Sequence, residues 1–244
     1  MVSYFHYSGP LYRVVFNRPS VARAVLQTPD GEKYYVPVNQ SALNVANDKL
    51  SNLLQEGLEN EYITQEEYQA MLGSDMNPGK FYSIFKVHKE HKDGELPPVR
   101  PIVSGCGSMF ENTGIFVEHH IKEHATKHAS FLQDTPDFLR HIQKLNLENV
   151  FNENTLLVTI DAIGCYMNIP QEEGVQCVEN VLSTRQNQEV PSGFIARLLE
   201  LILKHNIFEI DNELYQQQVG TAMGCKPAPS YANIHLAQKI DQIF

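Results

Sequence analysis

Apolar side chains recur at helical spacing over several stretches of the chain, and each stretch predicts an amphipathic helix. One of them covers 39–57 and is rich in leucine, valine and alanine. Thr64 and Glu67 have the spacing of a capping box, which predicts a short helix that ends at Leu72. Further helices are predicted over 108–128 and 135–145, and after Pro170, Pro191 and Pro229.

Short runs of branched and aromatic residues predict strands between these helices. The runs FYSIFKV and VRPIVS flank a lysine-rich stretch and predict a hairpin-like pair, and NIFEIDNELYQQ predicts a hairpin that turns at Asp211 and Asn212. The run 156–160 has the composition of a strand covered on both faces, yet it is followed by Asp161. A carboxylate there needs a cation, hydrogen-bond donors or water, because burying it unpaired is costly.

The composition is that of an ordinary globular protein. The chain has 244 residues, 42% hydrophobic and 20% charged, which is enough for one large domain or two small lobes. No apolar run approaches the roughly 20 residues that span a bilayer, and the start lacks a signal-peptide pattern. We therefore expect an intracellular protein, cytoplasmic or nuclear, without a membrane partner. The four cysteines show no CxxC spacing, which favours reduced thiols.

Charge is unevenly distributed along the sequence. The formal net charge is −10 at pH 7, the wrong sign for a protein that binds nucleic acid through its whole surface. The stretch 80–100 nevertheless collects five basic residues, Lys80, Lys86, Lys89, Lys92 and Arg100. Such a stretch is either a solvated loop or a local patch that meets a polyanion.

Four segments occur together in an order that resembles one known family. FYSIFKVHK, RPIVSG, LLVTIDAIGCYMNIP and YQQQVGTAMGCKPAPSYAN resemble, in order and approximate spacing, segments of the reverse transcriptases of Penelope-like retroelements, over roughly residues 35–244. The resemblance implies an α+β fold, the palm and fingers of a right-hand polymerase. Residues 1–34 stay unassigned, 35–150 would form a fingers-like region with the basic hairpin, and 151–244 a partial palm. The run 156–161 would be a central palm strand, antiparallel to the hairpin at 207–217 or to its neighbours.

The same resemblance implies an RNA-directed DNA polymerase that copies an RNA or DNA template by adding deoxynucleotides to a primer with the help of Mg²⁺. Asp161 matches the first catalytic aspartate, which holds the metal ions, and the backbone carbonyl of Ala162 would face the second ion. Hard carboxylate oxygens suit Mg²⁺ and the charge neutralisation that phosphoryl transfer needs. Lys86 and Arg100 match the fingers residues that contact the template or the triphosphate.

Three further positions match family residues near the substrate. Tyr166 matches the aromatic steric gate that packs under the sugar; without the resemblance it would be assigned to the core. Gln217 and Gly220 match the loop that supports the nascent base pair and the template. Glycine in such a loop allows close approach of the backbone to a ligand.

The chain also departs from the family pattern. No YxDD-like hairpin follows the YAN segment, and Asp241 in KIDQIF lies too close to that segment to be its catalytic aspartate. Gly164, Cys165 and Met167 replace the usual family residues. We therefore expect the fold to end before the second catalytic hairpin and the thumb, with little or no polymerase activity from these residues alone, because one carboxylate would face two cations. The alternative is a non-catalytic nucleic-acid-binding or protein-interaction module that retains the fold.

A third hypothesis, a metal-binding protein, rests on HHIKEHATKH. His120, His124 and His128 recur every four residues on one predicted helix face, a spacing that lets two imidazoles share a metal ion. The helix dipole also favours basic residues near a helix C-terminus, and no cysteine or carboxylate at suitable spacing completes the set. The sequence therefore favours a structural role for these histidines.

Overall fold

The computed structural model describes residues 3–6, 12–15, 26, 34–72, 76–86, 98–156 and 158–243. Within these ranges the chain forms both helices and strands. The helices are α1 (Gln40–Glu59), α2 (Gln65–Leu72), α3 (Glu111–Ala125), α4 (Thr135–Leu147), α5 (Cys165–Asn168), α6 (Gln171–Ser183), α7 (Ser192–Lys204) and α8 (Ala228–Ile243). The strands are β1 (Ser3–His6), β2 (Tyr12–Val15), β3 (Tyr35–Val38), β4 (Gly79–Phe85), β5 (Val99–Ser104), β6 (Ile207–Ile210) and β7 (Glu213–Gln217).

Five strands form one mixed sheet in the order β3-β7-β6-β4-β5. Neighbours in this sheet are antiparallel except β4 and β6, which run parallel. β1 and β2 form a separate antiparallel pair. Both predicted hairpins are confirmed, because β4 pairs with β5 and β6 pairs with β7.

The turn between β6 and β7 follows from its two central residues. Asp211 and Asn212 both adopt positive φ, 51° and 63°. This conformation matches the twist of the flanking strands, and Asp and Asn tolerate it better than most residues. The predicted turn at these positions is confirmed.

The helices form the larger core, and α7 lies within it. Nine of the thirteen residues of α7 are buried, the pattern of a helix that is covered on several sides. α1, α3, α6 and α8 add buried apolar side chains such as Leu50, Val117, Leu182 and Tyr231. None of the described helices is both long and apolar enough to cross a bilayer.

Three predicted helix starts, those of α2, α6 and α7, are also observed, whereas α8 begins at Ala228, one residue before Pro229. The Glu67 carboxylate accepts from the backbone N–H and the hydroxyl of Thr64 at 2.8 and 3.0 Å, and the Glu67 N–H donates back to the Thr64 hydroxyl at 3.2 Å. These reciprocal bonds satisfy donors that a helix start leaves unpaired, and the predicted capping box is confirmed. α6 and α7 begin directly after Pro170 and Pro191.

The strand prediction for 156–161 is wrong. Residues 156 and 158–161 form no strand, and the side chains of Leu156, Val158 and Ile160 are 86, 75 and 83% exposed. A strand needs a neighbour to complete its backbone hydrogen bonds. Both outer edges of the β6–β7 hairpin already have neighbours, β4 on one side and β3 on the other. The segment therefore has strand-like composition but lies outside the sheet.

Candidate functional site

The β4–β5 hairpin carries a surface that is both basic and aromatic. Along β4 the exposed side chains are Lys80, Tyr82 and Ile84, because alternate residues of a strand point to one face. In the register of the pair, Arg100 lies directly opposite Ile84 and Ile102 lies opposite Tyr82. Residues directly opposite each other in a sheet share a face. Arg100 and Tyr82 therefore lie on the same side of the hairpin.

Lys86 continues this surface at the open end of the hairpin. Its backbone N–H donates to the carbonyl of Pro98 at 2.8 Å, which extends the antiparallel ladder beyond β4. The two-residue period of the strand then puts the Lys86 side chain on the side of Ile84. Lys80, Tyr82, Ile84, Lys86 and Arg100 are called the hairpin face below. Lys89 and Lys92 of the predicted basic stretch lie outside the described residues.

Tyr166, Gln217 and Gly220 meet where α5 contacts the loop that follows β7. The backbone N–H of Thr221 donates to the Tyr166 carbonyl at 2.7 Å. Gly220 has a φ of 71°, and a Cβ there would overlap that same carbonyl. Only glycine combines this φ with so close an approach. Burial raises the pKa of the Tyr166 hydroxyl, and the neighbouring Cys165 adds to the shift.

Gln217 supports this loop from the inside. Its side chain is 1% exposed. The Gln217 amide N–H donates to the carbonyl of Val219 at 2.8 Å, and its carbonyl oxygen accepts from the Asn206 amide at 3.0 Å. Gln171 holds the loop from α6, because its amide donates to the carbonyl of Gly220 at 3.0 Å. The contact of Gln217 with a base pair stays a prediction, and in this structure its amide fixes the loop.

Asp161 and Ala162 are exposed in the connection between α4 and α5. The end of this connection is held by Asn168, whose amide donates to the carbonyls of Ile163 and Gly164 at 3.1 and 3.2 Å. Burial raises the pKa of the Cys165 thiol, and the negative charge of Asp161 raises it further. Asp161 therefore lies near the start of α5, outside the apolar core.

The residues around Asp161 could supply part of a magnesium coordination shell. Mg²⁺ takes about six oxygen ligands, of which proteins often provide one or two carboxylates while water and substrate phosphates provide the rest. Here the Asp161 carboxylate and the Ala162 carbonyl are the candidate ligands. Across the residues that the structure describes, no group of three or more His, Cys, Asp or Glu side chains could hold a metal ion. The magnesium role of Asp161 and Ala162 stays a prediction.

His120 and His128, two of the histidines considered for a metal site, contact protein groups. His120 packs against Phe116 with ring centroids 4.7 Å apart. Burial lowers the pKa of His120 to about 4, and the nearby His119 adds to the shift. His128 lies beyond the helix end, where its Nε2 is 3.0 Å from a carboxylate oxygen of Asp241. These contacts give His120 and His128 structural roles.

Three residues of the hairpin face and of the contact between α5 and the loop after β7 were not predicted from the sequence. Tyr82 is 43% exposed on the hairpin face, and the two-residue alternation of FYSIFK could have placed it there. Asn168 and Gln171 tie α5 and α6 to neighbouring loops through side-chain amides. The bond of Gln171 has no local sequence pattern, because Gln171 and its partner Gly220 are far apart in the chain.

Comparisons of the chain with protein-family models, with curated proteins and with solved structures give no match.

Proposed function

We propose that this chain is a domain of a reverse-transcriptase-like polymerase and that the hairpin face binds its nucleic acid. The observation that carries the proposal is the shared placement of Arg100, Lys80 and Tyr82 on one exposed face of the β4–β5 pair. Phosphate contacts need cations that reach the backbone of the ligand, and Arg adds a planar fork that pairs with phosphate oxygens. On a chain of net charge −10 this surface is a local exception.

The aromatic side chain adds a second kind of contact. Tyr82 is 43% exposed and lies between Lys80 and Ile84 along the strand. An exposed ring beside cations is a platform on which a base can stack, and stacking contributes about 1–3 kcal/mol per base. Binding of this kind tolerates many sequences, as a template-copying protein requires.

The proposed chemical step is nucleotide transfer to a primer, with Asp161 as one acidic ligand. The exposed position of Asp161 leaves its carboxylate accessible to a substrate complex. The second candidate function is nucleic-acid binding without catalysis. It is favoured by the ligand set around Asp161, because among the described residues no group of three or more His, Cys, Asp or Glu side chains could hold a metal ion.

Binding can be tested by fluorescence anisotropy with a labelled primer–template duplex over a range of salt concentrations. Lys86→Ala and Arg100→Ala should each weaken binding and lower the salt slope by about 0.7–0.9, because each removes one phosphate contact. Lys144→Ala on α4 is the control, since it removes the same charge outside the hairpin face. A slope that is unchanged in both hairpin variants, or lowered equally in the control, would exclude the hairpin face as the binding surface.

Catalysis can be tested separately with Asp161→Asn, which keeps the shape of the side chain and removes its charge. If the chain extends a primer, the variant should lose about 100-fold or more of that rate, because metal-assisted charge neutralisation contributes several kcal/mol. Its affinity for the duplex should stay unchanged. Template-dependent incorporation that persists in Asp161→Asn would contradict the role of Asp161, whereas duplex binding with no incorporation by the parent chain would support the second function.

A further inference from the structure

α4 presents an apolar face that nothing in the described structure buries. The helix has no buried residue. Phe138 and Leu139 are 45 and 57% exposed, and Ile142 and Leu145 continue the same side of the helix. This spacing is that of a helix that packs against another helix. An uncovered stripe of this kind marks an interaction surface.

A matching apolar surface lies on α8. Leu236, Ala237 and Ile240 line a solvent-accessible cavity of about 200 Å³, together with Phe131 and Leu132 from the loop between α3 and α4. Residues three and four apart lie on one side of a helix, so these α8 residues form a continuous stripe. The small side chain of Ala237 lies in the middle of the stripe and would allow close approach of a second helix.

The chain keeps these two apolar surfaces close together. Leu132 lines the cavity, and α4 begins at Thr135. His128 fastens the loop to α8 through Asp241, and Asp134 caps the first turn of α4 by accepting from the Asp137 N–H at 2.8 Å. Only a few residues therefore connect the part of this loop that is bonded to α8 with the capped start of α4.

We propose that α4 is a strap that closes over the cavity and packs Phe138 and Ile142 against the α8 stripe. The short tether favours this occupant over a second copy of the chain, because a tethered helix has a much higher effective concentration than a free partner. Packing the two stripes together removes both apolar surfaces from water, which is the main favourable term in such association.

Closure also affects the segment that carries Asp161. This segment runs from α4 to α5, and the α5 end is already held because Met167 is buried. Docking of α4 fixes the other end. The strap thus restrains the exposed connection from both sides, a role that does not depend on the proposed polymerase function.

A single tryptophan can report closure, because the chain contains none. In Phe138→Trp the indole lies on the docking stripe, whereas in Leu147→Trp it lies on the opposite side of the same helix, since nine residues at about 100° each amount to two and a half turns. Phe138 is already less exposed than Leu147, 45 against 81%. The strap therefore predicts an additional blue shift and weaker acrylamide quenching of Phe138→Trp that a charge on the α8 stripe removes. Equal emission and quenching in the two variants would overturn the strap.

A charge on the α8 stripe provides the second test. Ala237→Glu, combined with Phe138→Trp, should shift the emission to longer wavelength and increase the quenching relative to Phe138→Trp alone, with circular dichroism to verify the fold. Ile240→Lys at the exposed rim of the cavity serves if Ala237→Glu does not fold. Emission and quenching of Phe138→Trp that neither charge changes, or protection that rises with protein concentration, would overturn an intramolecular strap, and the concentration dependence would identify a second copy as the occupant.

Discussion

At the scale of single residues, glycine is required where the loop after β7 meets α5. Gly220 and Gly107 have nearly the same φ, 71° and 70°. A Cβ on Gly220 would overlap backbone atoms of Tyr166 and Met167, whereas a Cβ on Gly107 would meet nothing within 4 Å. The two positions therefore separate the cost of a left-handed backbone from the cost of a steric clash.

Gly107→Ala should lower the free energy of unfolding by about 1–2 kcal/mol, the cost of a left-handed conformation for an L-residue. Gly220→Ala should lower it by a further 1–3 kcal/mol or so, because the added methyl must also displace a backbone carbonyl. Urea unfolding of both variants measures the two values. Equal losses would show that the loop can move away from Tyr166 without cost.

At the scale of elements, local patterns were sufficient where a few neighbouring residues decide the structure. The capping box at Thr64 and Glu67 depends on two side chains in one turn, and the β6–β7 turn depends on Asp211 and Asn212. The segment 156–161 is different, because its apolar composition indicates a tendency to form a strand but does not indicate whether a neighbouring strand is available for pairing. Pairing depends on distant residues, here on β3 and β4, which flank the β6–β7 hairpin.

The residues of the candidate site also differ in whether local sequence patterns predict their positions. Lys86 and Arg100 were predicted on one hairpin because strand alternation is local, and the register confirms the pairing of β4 with β5. The bond between Gln217 and Asn206 follows from the register of the predicted β6–β7 hairpin, in which the two residues lie opposite each other. The burial of Gln217 depends on how the loop folds back over the core, and no pattern in the sequence around Gln217 indicates it.

The buried hydroxyl of Tyr231, where α6 and α8 cross, leads to a testable prediction. Tyr231 is completely buried, and its hydroxyl has no hydrogen-bond partner among the described residues. Tyr231→Phe should therefore be neutral or raise the free energy of unfolding by about 1 kcal/mol, because it removes an unsatisfied polar group. A loss of more than about 1 kcal/mol would show that the hydroxyl forms a bond that stabilises the fold.

Gly174 supplies the matched test of the same crossing. A Cβ there would overlap the hydroxyl and ring of Tyr231, so Gly174→Ala should cost about 1–3 kcal/mol despite the better helix propensity of alanine. Tyr231→Phe in that background should recover part of the loss, since it removes the nearest overlapping atom. On α7, Gly193→Ala is the control, because its nearest neighbour is a carboxylate oxygen of Glu179 at 3.3 Å, the end of a flexible side chain.

At the scale of the whole molecule, partly buried histidines link stability to pH. Burial is the largest cause that lowers the pKa values of His120, His124, His205 and His235. Below the ordinary histidine pKa near 6.5, the unfolded chain therefore binds more protons than the folded chain. Stability from these groups is fully present above pH 6.5 and is lost as the pH falls. Glu118 acts in the opposite direction, because burial raises its pKa.

His120 allows this linkage to be tested at one group. Its pKa is about 4 in the folded chain, where burial and the charges of His119 and Arg185 outweigh the opposing charge of Glu67. One proton bound only by the unfolded state changes stability by about 1.4 kcal/mol per pH unit, and solvent screening at a partly exposed ring reduces this to roughly 0.5–1 kcal/mol per unit.

Between pH 6.5 and 4, the free energy of unfolding of His120→Gln should therefore fall less steeply than that of the parent chain. Urea unfolding at several pH values measures both slopes. Gln143→Ala, on the exposed surface of α4, is the control, because it changes no titratable group and should keep the parent slope. If His120→Gln also kept the parent slope, the imidazole would be protonated in the folded chain, and the ring would have to be more accessible to water than its contact with Phe116 indicates.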